Sequence, residues 1–113
     1  MSEFFKSAVV RAEMAEIQEL QEEVYENAFK FPNMPIEDQK YHVEVLERLI
    51  DKQRVMYTRL SLSEDPEAKQ MKEQITSGAV DMGLPENADM NVIFNNMIQA
   101  VGMMRRHIDN TAS

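Results

Sequence analysis

Residues 41–62 read YHVEVLERLIDKQRVMYTRLSL, and the spacing of their apolar positions decides the fold. At about 100° per residue, Val43, Val45, Leu46, Leu49, Ile50, Met56, Tyr57 and Leu60 occupy one roughly half-cylinder arc, with Glu44, Glu47, Arg48, Asp51, Arg54 and Arg59 opposite. An arc that wide needs helical neighbours on two sides. His42 and Gln53 fall near its middle, where an unpaired buried imidazole or amide costs roughly 1–3 kcal/mol. Both are therefore expected to be hydrogen-bonded, Gln53 to Gln21 or to a second copy of Gln53.

Toward the N-terminus, residues 4–29 show the same helical period. Val10, Met14, Ile17, Leu20, Val24 and Ala28 share one face, and Glu16, Glu19, Glu22, Glu23 and Glu26 cover the other. Glu13, at the margin of the apolar face, is expected to pair with an arginine. About 25 residues at 1.5 Å rise span roughly 38 Å, so this helix can lie antiparallel along residues 37–62. Pro32 and Pro35 separate the two, because each removes a backbone donor and biases the preceding residue away from helix. Phe29, Phe31, Met34 and Ile36 are too apolar for a solvated loop and are expected to fold over the hairpin end or to meet a partner, the first being the commoner arrangement.

Toward the C-terminus, Asp65-Pro66-Glu67 has the chemistry of a helix start: a capping carboxylate, a proline suited to the first position and an acid in the first turn. Ala68, Met71, Ile75, Ala79 and Met82 recur at helical intervals through residues 65–82, and Gly83 follows as a C-terminal cap. Asn87 or Asp89 can cap a last helix over residues 89–108. There Met90, Phe94, Met97, Val101, Met104 and Ile108 alternate spacings of four and three, a packing seam. The tail beyond residue 108 is expected to fray. The whole reads as one all-α domain over residues 1–113: a long antiparallel helical hairpin plus two shorter helices, forming a small helical bundle.

The formal charge of −8 repels nucleic-acid phosphates and anionic membrane surfaces. The cations Arg105, Arg106 and His107 sit where they oppose a helix C-terminal dipole. With no cysteine there is no disulfide, thiolate metal site or cysteine nucleophile, and no window reaches membrane-spanning length. The expectation is a soluble, cytoplasmic protein that binds neither nucleic acid nor membrane. Gly78, Gly83 and Gly102 are too scattered for a phosphate-binding loop. A di-iron bundle needs a glutamate three residues before each histidine, but Gln39 precedes His42 and Met104 precedes His107. Asp38 and His42, one turn apart, could share a metal, yet no third ligand is in view and a hydrogen-bonded pair is favoured. No catalytic, cofactor-binding or metal residue is therefore expected, and the chain reads as non-enzymatic.

Residues 3–10 (EFFKSAVV), the acidic helix after them, residues 49–57 (LIDKQRVMY) and above all residues 60–65 (LSLSED) resemble a family of small helical proteins of unknown function found in cyanobacteria and their phages, domain of unknown function 1825. The resemblance covers roughly residues 3–75. It implies a cyanobacterial or cyanophage origin and a cytoplasmic setting, and transfers no active site.

The functional expectation is a protein-interaction module acting as a homo-oligomer, with a dimer favoured and a host protein as a further possible partner. The candidate interface comprises Gln53, Tyr57, Phe31, Met34, Met97, Met103 and Met104. Ten methionines suit an adaptable surface as well as an irregular core. The alternative is an acidic mimic of nucleic acid that inhibits a host enzyme, suggested by the glutamates of the first helix.

Overall fold

The structure, a computed structural model, describes residues 3–81, 83–85 and 89–112. The central stretch forms α3 (Ile36–Leu62), a helix of 27 residues, about 40 Å long. Before it come a single turn, α1 (Glu3–Lys6), then α2 (Ala8–Ala28) and a 3-10 turn over Phe31–Asn33; after it come α4 (Pro66–Asp81) and α5 (Met90–Ala112). Among the described residues there is no strand. α2 packs on one side of α3 and α5 on another, as the two-sided arc requires.

The polar contacts give the directions. Glu13 meets Arg59 at 2.9 and 3.0 Å, and Glu16 meets Lys52 at 2.7 Å, so α2 and α3 run antiparallel. Glu47 meets Arg105 at 3.1 Å and Tyr57 stacks obliquely on Phe94 at 5.9 Å, so α5 is antiparallel to α3 as well. Apolar residues fill both seams. Val43 and Ile50 form one cluster with Met90, Phe94, Val101 and Ile108 of α5, while Val45 and Leu49 meet Leu20 of α2. A third cluster joins Met56 and Leu60 to Val10 and Ala68, drawing α4 back over the distal half of α3. The result is elongated and thin, 50 × 32 × 20 Å.

Local chemistry sets the ends as expected. Asp65 Oδ1 accepts the Glu67 amide at 3.0 Å to start α4, and Asp89 Oδ1 accepts the Asn91 amide at 2.9 Å to start α5. After α4, Gly83 has φ 100°. The Leu84 amide bonds Ala79 O at 3.1 Å and the Gly83 amide bonds Val80 O at 2.9 Å, a Schellman cap that a side chain would strain. Asn87 and Met82 lie outside the described residues.

Several expectations are corrected. The first helix is broken at Ser7, whose extended backbone and Oγ, accepting from the Val10 amide at 3.4 Å, restart it as α2. A long-range bond supports the break: the Phe4 amide donates to Asp65 Oδ2 at 3.0 Å, and α1 packs against α4. The last helix does not fray after residue 108 but runs 23 residues to Ala112, because Ile108 is buried at 3% exposure and anchors its final turns. Phe31 and Ile36 fold onto the core and Met34 is half-buried, but Phe29 stands 94% exposed at the end of α2. Ile75 is only at the edge of α4's packed face, at 36% exposure.

Candidate functional site

The most distinctive polar geometry lies at the closed end of the hairpin. Two carbonyls of the connecting loop, Phe31 O and Met34 O, each accept from Gln39 Nε2 at 3.2 Å, which fastens the loop to the first turns of α3. Pro32 and Pro35 restrict the rest of that loop. Phe31 is thereby held against the imidazole of His42, ring centroids 5.1 Å apart. Beside this pair opens a cleft of about 240 Å³ lined by Glu23 and Asn27 of α2, Met34 of the loop, and Asp38, Tyr41, His42 and Val45 of α3.

The cleft is electrostatically one-sided. Two carboxylates line it and no cationic side chain does. The Tyr41 hydroxyl donates to Glu23, and that bond together with the Glu23 charge raises the Tyr41 pKa above its ordinary value. Asn27 Nδ2 donates to the Glu23 carbonyl at 2.8 Å, so its side-chain oxygen remains as an acceptor. His42 is 7% exposed, and burial lowers its pKa against the opposing pull of Glu23. At neutral pH the ring is therefore neutral. Among the described residues its nitrogens have no hydrogen-bond partner, yet no fully enclosed side-chain nitrogen or oxygen is left unsatisfied. Its nitrogens are therefore not fully enclosed, and the ring lines the cleft.

The expectation that His42 and Gln53 are paired is thus not met within the chain. Gln53 is half-buried and has no partner among the described residues, Gln21 included; water reaches its amide and removes the need for one. The other interface candidates separate into three places. Phe31 and Met34 come together with His42 at the hairpin end. Tyr57 and Met104 pack against the α3–α5 cluster, with the Lys72 ammonium 5.7 Å from the Tyr57 ring centroid. Met97 and Met103 face solvent on α5, 38% and 63% exposed.

Sequence reasoning singled out Asp38 and His42 by their helical spacing, but the hydrogen bond expected between them is not formed, and it missed Glu23, Asn27 and Tyr41. Only the register of the hairpin brings α2 residues opposite α3 residues, and no local pattern encodes it. Among the described residues no set of His, Asp and Glu is placed to hold a metal ion, and no helix is long and apolar enough to cross a membrane. A protein-family model described as a domain of unknown function (DUF1825) matches residues 2–108. No match is found among curated proteins or solved structures.

Proposed function

The chain belongs to the family described as a domain of unknown function (DUF1825), and from its surface we propose that it is a non-enzymatic helical interaction module that pairs with a second copy of itself. One observation carries this reading: there is too much surface for a single chain. A folded monomer of 13.1 kDa exposes about 6,400 Å², whereas this chain exposes 7835 Å². The difference, about 1,400 Å², exceeds the roughly 800 Å² per partner that a standard interface buries. Shape agrees, since the radius of gyration is 16.0 Å against about 13 Å for a compact chain of this length.

The uncovered surface includes large apolar groups that a partner would shield. Phe29 is 94% exposed, Leu62 80%, Tyr25 74% and Met103 63%. Aromatic and methionine side chains are the types enriched in interface cores. The acidic-mimic alternative has less behind it: Glu16 of the acidic row is engaged by Lys52 of α3, and Glu19, Glu22 and Glu26, which are exposed, are what a solvated helix face presents.

Sedimentation equilibrium at micromolar concentration tests the proposal. A mass of twice the chain is expected, and Phe29→Glu and Met103→Glu should shift it toward the monomer without loss of helical signal. A strict monomer at all concentrations overturns it.

A further inference from the structure

The hairpin-end cleft has a hydrogen-bonding character that narrows what could fill it. Acceptors outnumber donors among its lining groups: the carboxylates of Glu23 and Asp38, the side-chain oxygen of Asn27 and the unprotonated nitrogen of the neutral His42 ring, against the other His42 ring N–H and the second N–H of Asn27. The one hydroxyl, on Tyr41, already donates to Glu23. Arg48 is near enough to act on Tyr41 electrostatically but does not line the cleft. Met34 and Val45 supply apolar wall. The feature that lifts this above a pair of surface acids is His42, more than nine-tenths buried, without a hydrogen-bond partner among the described residues and lining the cleft.

A complementary ligand must donate several hydrogen bonds, carry positive charge and present some carbon. At about 240 Å³ the cleft lies just below the usual range of roughly 300–1,000 Å³ for small-molecule sites, so the ligand is small. A bare metal ion fits less well, since among the described residues no three His, Asp or Glu side chains are close enough together to hold one, whereas the N–H donors of an organic cation reach acceptors about 2.9 Å away and set wider apart. We propose that this cleft binds a small organic cation, an ammonium or guanidinium group carried on a short carbon chain. The ammonium or guanidinium would bridge Glu23 and Asp38 and donate to His42, with its methylenes against Met34 and Val45. The proposal is independent of self-association, because the cleft is formed within one chain.

The test is an NMR titration of the full chain with butylamine, butylguanidinium and tetramethylammonium, read on backbone amides. Saturable shifts confined to residues 23–27 and 34–45 are expected with the first two ligands. Tetramethylammonium, a cation without N–H donors, should bind at least about tenfold more weakly. Asp38 is exposed, so Asp38→Asn should fold normally and weaken butylamine binding by about tenfold or more; Glu23→Gln should do likewise. A blocked alanyl-lysyl-alanine peptide identifies the source: binding as tight as butylamine points to a lysine of a partner protein, and exclusion of the peptide points to a free amine. The proposal is overturned if no amine saturates by about 10 mM, if tetramethylammonium binds equally, if Asp38→Asn has no effect, or if only a divalent cation shifts these residues.

Discussion

Replacing Phe94 by alanine should release α5 while leaving the hairpin of α2 and α3 folded. Phe94 is 6% exposed, lies in the α3–α5 cluster and contacts the Tyr57 ring at 5.9 Å. Loss of ring burial costs about 2–3 kcal/mol, loss of the tilted aromatic pair about 1 kcal/mol, and the residual cavity brings the total to about 4 kcal/mol. That is a large part of the roughly 5–15 kcal/mol by which a domain is stable. The effect should be local, because α5 docks chiefly on α3, whereas Val10, Leu20, Leu49, Met56 and Leu60 sit in clusters that Phe94 does not enter. A freed α5 would lose its amide protection, since most of a protein helix's stability comes from tertiary packing of its apolar face rather than from propensity. Hydrogen exchange read by mass spectrometry is the assay. Peptides from residues 90–112 should exchange much faster, while those from residues 10–20 and 45–60 change little. Leu60→Ala, at a 0% exposed position in the other cluster, should instead speed exchange in α2, α3 and α4 together. Equal acceleration throughout the chain in Phe94→Ala, or a change below about 1 kcal/mol, would refute the separation of the two seams.

Three further outcomes are expected. Asp65→Ala removes both the α4 cap and the tie to the Phe4 amide, so it should cost about 2 kcal/mol and deprotect α1; equal losses in Asp65→Asn and Asp65→Ala would show that the carboxylate's geometry is immaterial. His42 has a folded-state pKa below about 6.5, so the unfolded chain takes up its proton first: stability is intact above that pH and falls as pH drops from it toward the folded value. Urea midpoints at several pH values should show this decline in the wild type and not in His42→Gln, where Glu23 and Asp38 still face the position; parallel curves would mean the carboxylates cause it. Gln53, half-buried and unbonded, should tolerate Gln53→Leu with a change within about 0.5 kcal/mol. A loss of several times that, measured by chemical denaturation, would place its amide in a polar contact between copies.

What the sequence determined by itself was everything governed by neighbours three or four residues apart. The two-sided arc of α3 was visible in the spacing of Val43, Leu49, Ile50, Met56 and Leu60, all buried. Pro32 and Pro35, the Asp65-Pro66 start and the Gly83 stop fix helix ends through steric and hydrogen-bonding rules that act locally. Even the Glu13–Arg59 pair followed, because a carboxylate at the edge of an apolar face must find a cation across the hairpin. Tertiary structure decided three things. The break at Ser7 combines a local N-cap on Val10 with a tie from Phe4 to Asp65, 61 residues away, and the second is in no local pattern. Phe29 is left exposed while Phe31 turns inward, although the two are alike in composition, because the loop clamped by Gln39 aims only the second at His42. The cleft exists because packing of Leu20 against Val45 and Leu49 sets the register that brings Glu23 opposite Tyr41. A shift of one helical turn would move that carboxylate about 5 Å along the helix and separate it from His42 and Asp38.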